Sequence, residues 1–281
     1  LAGATCRHAG PLMGPAPTTP PATVTALESV AEQVLECARR AGADQAEACV
    51  ERTRGFSVRV RSGAIETLKQ SAARGIGLRV VVGGAVGFVS STDLAPGALE
   101  DLAQRAVTLA RFSTPDPANA FPAPEDLVGD LMDQPTGDLA LHDPALSGLP
   151  PDRKIEMALE LERLTLAHDP RIRRTDAVGV TTRDGATLIA NSHGLVRAWD
   201  ATVLSLFSVA LADDRDGKQQ SGGYGISRRS LAALPPIEAV AAETGRRAMA
   251  RIGARTVPSA RVPVIMHPDT AAAWLAEIYQ A

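Results

Sequence analysis

The sequence predicts an α+β fold in which antiparallel sheets are flanked by helices. Three observations carry that expectation. Apolar and polar residues alternate with a period of two between Ala46 and Ser91 and again from Leu195 to Leu211. Around these blocks lie stretches whose apolar residues recur every three to four positions, as on one face of a helix. The strands come in consecutive runs rather than alternating singly with helices, which separates this class from a parallel α/β sheet.

Taken in order, residues 1–23 are rich in Pro, Thr, Gly and Ala and are expected to be a disordered leader. A first helix is expected from Thr25, because Thr25-Ala-Leu-Glu28 is a capping-box pattern. Val30, Ala31, Val34, Leu35 and Ala38 follow at helical spacing, and Gly42 supplies the stop. Phe56, Val58 and Val60 then alternate against Ser57, Arg59 and Arg61, the pattern of a half-buried strand. Ser62-Gly63 and Gly83-Gly84 suit tight hairpin turns, so four or five meandering strands are expected up to Ser91. Pro96 opens a second helix with a stripe of Leu99, Leu102, Ala103, Ala106, Leu109 and Ala110.

Residues 118–150 are Pro-rich and aperiodic, the mark of an extended linker. A third helix is expected over 152–168, closed by His168-Asp-Pro170. Strands then return. Arg183-Asp-Gly185 reads as one hairpin turn, Asn191-Ser-His-Gly194 as another, and Asp213 to Gly217 as a hairpin tip with a mobile glycine-rich arm, Ser221 to Gly225. A helix over 239–252 and a short apolar strand over Arg261–Met266 complete the series, and a further helix starts after His267-Pro268. The organisation is thus a first α/β subdomain over 24–117, the linker, a second over 151–256, and over 257–281 the start of a β-rich carboxyl-terminal domain. The chain opens on Leu1 and stops inside a predicted helix, so both ends are expected to be cut.

Bulk properties narrow the function. With 45% hydrophobic and 22% charged residues the chain is ordinary globular material. A net charge of -3, with arginines only in scattered pairs, gives no basic track for nucleic acid. No apolar run is long enough for a membrane span and the leader has no apolar core of a secretion signal. The 3 cysteines, Cys6, Cys37 and Cys49, lack metal-knuckle spacing, and a reducing cytoplasm fits them best.

The run from Arg74 through Gly75-Ile-Gly77, Gly83-Gly84 and Gly87-Phe-Val-Ser-Ser-Thr-Asp-Leu94 resembles the signature of the TldD/PmbA family. Ala41-Gly-Ala-Asp-Gln-Ala-Glu47 before it, Ala110-Arg-Phe-Ser-Thr-Pro-Asp-Pro117 after it, and Asn191-Ser-His-Gly194 match further segments in the same order. The resemblance covers roughly residues 25–281. It implies a cytoplasmic peptidase acting on peptides and unfolded proteins, built as a heterodimer in which one subunit binds zinc. In that zinc-bearing TldD-type subunit the ligands lie in HExxxH after an apolar strand. Here the corresponding stretch reads His267-Pro-Asp-Thr-Ala-Ala272, with Pro268 in place of the Glu and Ala272 in place of the second His. The expectation is therefore a PmbA-type subunit with no catalytic residue, metal or cofactor of its own, zinc being carried by the partner. The alternative is a regulatory binding protein without enzymatic activity, of the DNA gyrase modulator type.

Asn191, Ser192, His193 and Gly194 are the candidate contacts for a peptide or the partner subunit. Their bland reading is a structural turn, because adjacent Ser and His side chains on a strand point to opposite sides and do not form a nucleophile–base pair. Gly75-Ile-Gly77 and Gly83-Gly84 run into strands rather than a helix, so they are not a phosphate loop. Asp213 to Gly217 lacks the closing carboxylate of a calcium loop, because Gly223 stands there.

Overall fold

The computed structural model describes residues 22–123, 125 and 139–280, with side chains from residue 26 onward. The expected leader falls almost wholly outside the described residues. Helix α1 runs Ala22–Ala41, starting three residues ahead of Thr25. The expected capping box is therefore inside the helix, not at its start. Three antiparallel strands follow: β1 (Gln45–Arg61), β2 (Ala64–Val82) and β3 (Ala85–Ser91). Their turns are the two predicted ones, with Ser62 and Gly63 at φ 55 and 74 and Gly83 and Gly84 at φ 56 and 78. The count of four or five strands is corrected to three, because β1 and β2 stay paired through Gly55, Gly75 and Gly77, with one register shift between Arg59 and Val60.

Helix α2 (Pro96–Phe112) starts at the predicted proline and buries Leu99, Leu102, Ala103, Ala106, Val107 and Ala110. Leu109, expected in that stripe, is exposed, and Val107 takes its place. In the 118–150 stretch the described part includes a short α-helical turn, α3 (Pro144–Ser147), capped by the Asp143 side chain. Then come α4 (Pro151–Ala167), β4 (Ile172–Asn191), β5 (Val196–Asp213), a 3-10 turn at Arg215–Gly217, β6 (Gln219–Arg228) and α5 (Ile237–Met249). The hairpin expected at Arg183-Asp-Gly185 does not exist; β4 runs straight through it, paired on both sides. A glycine is needed at 185 for close approach, since a Cβ there would lie 2.9 Å from Arg52 O of β1. The Ser221 to Gly225 arm is likewise ladder-paired strand rather than a mobile segment.

All six strands form one antiparallel sheet in the order β3-β2-β1-β4-β5-β6. The central pair, β1 and β4, matches from Glu47 opposite Asn191 to Val60 opposite Val178. Each side of that pair repeats one pattern, helix, three-strand meander, helix, so the molecule has an approximate twofold axis between β1 and β4. The axis passes near Arg54 and Asp184, the middle of the register.

Both helix pairs lie on the same face of the sheet. Ala48 and Val50 of β1, Leu78 and Val80 of β2 and Leu188 of β4 pack under α1 and α2. Val58 and Val60 of β1, Val178 and Val180 of β4, and Leu204 and Leu206 of β5 pack under α4 and α5. Each such fully buried aliphatic side chain stabilises the fold by about 1.5–3 kcal/mol. Because β1 and β4 feed both clusters, neither meander closes a core by itself.

Beyond α5 the chain has no regular structure until α6 (Pro268–Gln280). The strand expected over Arg261–Met266 is absent, and Val262, Val264 and Ile265 are exposed. A strand needs a partner edge, and this segment has none among the described residues.

Candidate functional site

The four predicted contact residues sit together at the β4–β5 turn, where Gly194 takes φ 93. Asn191 is only 4% exposed, and its Oδ1 accepts hydrogen bonds from the backbone of His193 and Leu195, each at 3.0 Å. The side chain thus holds the turn in the Asx manner. Ser192 is bound to Ala46 twice: its amide donates to Ala46 O at 2.8 Å and its Oγ accepts from Ala46 N at 3.1 Å. The hydroxyl is consequently aimed at the β1 backbone, and no hydrogen bond joins it to His193 among the described residues.

His193 turns the other way. Its Nδ1 lies 2.7 Å from Pro122 O, and its ring meets Phe121 edge-on with centroids 6.3 Å apart. A carbonyl only accepts, so Nδ1 carries the proton in this pairing. Phe121 is buried, its amide donates to Gln45 Oε1 at 3.0 Å, and the Arg79 guanidinium stacks 4.5 Å from its ring centroid. The turn is therefore a clasp that ties the segment after α2 to the start of β1 and the end of β4. Gln45, Arg79 and Phe121 belong to it and were not legible as such; the signal available was a single Phe inside a Pro-rich stretch of an aromatic-poor chain.

At the start of α6, His267 is exposed, its Nδ1 accepts from Asp269 N at 3.3 Å and lies 3.6 Å from Asp269 Oδ2. Asp269 in turn pairs with Arg247 at 2.9 Å. Zinc in a protein site takes three or four His, Cys or carboxylate ligands. His267 has one engaged carboxylate beside it, a proline next and an alanine at 272, and no group of three such side chains gathers among the described residues. These residues do not fit zinc.

Strongly shifted carboxylates occur at arginine forks. The Arg246 and Arg247 guanidinia hold Glu243 down at about 2, and Arg171 holds Asp169 at about 2. Asp143 is lowered chiefly by the Leu231 amide, which donates to it at 2.8 Å. Burial pushes the Cys49 thiol up, which removes it as a thiolate nucleophile at neutral pH.

The second face of the sheet bears no helix among the described residues. It presents Thr53, Gly55, Ser57, Gly77, Thr181, Ser205, Gly225 and Ser227 together with large apolar and aromatic side chains, among them Phe88, Trp199, Val203 and Phe207.

A helix-backed antiparallel sheet in two linked units matches, unit by unit, the pieces of a metallopeptidase: residues 46–110 fit the PmbA/TldA metallopeptidase domain 1 and residues 144–252 its central domain. The chain belongs to the PmbA/TldD family. It is 31% identical to the metalloprotease PmbA of Escherichia coli O157:H7 over 245 residues, which is 87% of this chain and 52% of that protein. The PmbA homologue of Haemophilus influenzae is 27% identical over the same share of each. The chain thus spans about half the length of the curated relatives it matches. Among solved structures, a candidate DNA gyrase modulator of Bacteroides thetaiotaomicron superposes with a TM-score of 0.71 at 22% identity, covering 82% of this chain and 51% of that one. TldE from Thermococcus kodakarensis gives 0.67 at 16% identity, covering 78% and 47%. These two establish the shared fold. No helix among the described residues is long and apolar enough to cross a membrane.

Proposed function

We propose that this chain is the PmbA-type subunit of a cytoplasmic, heterodimeric zinc peptidase, contributing wall and substrate support while a TldD-type partner carries the zinc and cleaves peptides or unfolded proteins. The observation that carries the reading is the stretch His267 to Ala272 in a chain of this family. One imidazole remains, Pro268 cannot act as the general base, and Ala272 cannot bind metal. The helix-free face of the sheet, with no element over it among the described residues, is the surface left open to a substrate or partner in this reading. In this reading the Asn191–Gly194 clasp fixes the loop beside that face and serves peptide or partner binding by positioning rather than by chemistry.

The test is the mass of the full-length protein in solution, alone and mixed with a TldD-type chain of the same cell, measured by light scattering on an eluting peak. A peak with the summed mass of the two subunits is expected. Separate elution at all concentrations, with the partner equally active alone, would sink the proposal.

A further inference from the structure

We infer that the gap between the two helix pairs, over the centre of the sheet, binds the terminal carboxylate of a peptide laid along the free edge of β2. On the helix-bearing face the two apolar clusters leave a break around the approximate twofold axis, and a cavity of about 410 Å³ occupies it. Arg54, Phe56, Gln70, Ser147, Lys154 and Asp184 line it. Asp184 receives a hydrogen bond from Arg54 Nη2 at 3.2 Å and a close one from Ser147 Oγ.

Lys154 is the unusual member. It is 8% exposed, its Nζ stacks 5.0 Å from the Phe56 ring centroid, and it forms no ion pair or side-chain hydrogen bond among the described residues. Burial lowers its pKa, and Asp184 only partly offsets that. The Lys154 stem is buried while its ammonium opens into the cavity with no acceptor among the described residues, and an anion entering there would supply one. Two cations against one carboxylate leave the cavity with one net positive charge, which matches a carboxylate better than a dianionic phosphate.

The peptide source rests on a second observation, and it also rests on the peptide-handling reading above. β3 pairs only with Ile76–Val82, so Ala64–Gly75 of β2 has no neighbour on its outer side among the described residues. Gln70, Ser71 and Ala72 of that free edge line the cavity. An extended peptide adding to the edge through main-chain hydrogen bonds would bring its chain end to Arg54 and Lys154.

Calorimetry on the full-length protein tests this with an acetylated alanine–valine pentapeptide, as free acid and as carboxamide. The acid should bind at least about ten-fold more tightly, the worth of one charge-assisted contact. Lys154→Met and Arg54→Gln should each abolish the preference. Asp184→Asn, which removes the competing carboxylate, should tighten acid binding several-fold, a gain that a misfolded variant would not show. Equal binding of acid and amide, no change in Asp184→Asn, or displacement of the peptide by equimolar inorganic phosphate each overturns the proposal. If N-acetylalanine binds as tightly as the pentapeptide, the pairing of a peptide along the free edge of β2 is overturned, while heterodimer formation, measured by mass, stands or falls separately.

Discussion

Among single residues, Glu162 is the buried charge on which the fold depends most. It is 2% exposed on α4, yet its carboxylate accepts from the backbone of Ser62 and Gly63 at 2.9 and 2.8 Å and from Thr175 Oγ1 at 2.8 Å. It therefore pins the β1–β2 turn and the start of β4 to the same helix. Glu162→Ala would strand three donors and should lower unfolding free energy by about 3 kcal/mol in a urea titration, whereas Glu162→Gln, which keeps the shape, should lose less. Glu243 gives the pH-dependent counterpart. Its folded pKa of about 2 is below the ordinary 4.5, so the stability it contributes is present above 4.5 and is lost as pH falls toward 2. The Glu243 carboxyl ¹³C resonance should titrate near 2, and it should return toward 4.5 in Arg246→Gln combined with Arg247→Gln. Neither role was legible beforehand: a Glu in an amphipathic helix is by default a solvated one, and only the docking of a turn 100 residues distant in sequence buries Glu162.

At the level of elements, the two edge strands repeat one device. Gly87 in β3 and Gly222 in β6 face α2 and α5, and a Cβ at either would fall on helix backbone, Ala106 and Ala110 in one case and Arg247 and Ala248 in the other. The helices meet the sheet with small residues there, so the backbone comes close. Gly87→Ala and Gly222→Ala should each cost about 2–3 kcal/mol by overpacking, read as a drop in thermal midpoint with secondary structure retained. Helices α2, α4 and α5 and the long strand β5 were legible because period and proline placement reflect local physics. What misled was glycine. Gly63 and Gly84 do mark turns, but Gly55, Gly75 and Gly185 sit within strands where another backbone or side chain approaches, and sequence alone does not separate those two uses.

Across the whole molecule, the cluster under α1 and α2 includes Leu188 of β4, and that under α4 and α5 includes Val58 of β1. A fragment covering 22–117 alone should therefore bind a hydrophobic dye and unfold without cooperativity, and co-expression with 139–280 should restore a cooperative transition; a cooperatively folded 22–117 fragment would refute this. The fold class and the family segments were readable in the sequence. The clasp around Phe121 and the cationic gap were not, since both join side chains from segments far apart in the sequence. Peptide cleavage by the reconstituted pair tests the central claim most directly. Full-length protein and TldD-type partner, assayed singly and together on an unfolded peptide, should show cleavage only, or far faster, in the mixture. Cleavage by this protein alone, or no gain over the partner alone, would contradict its assignment as the supporting subunit.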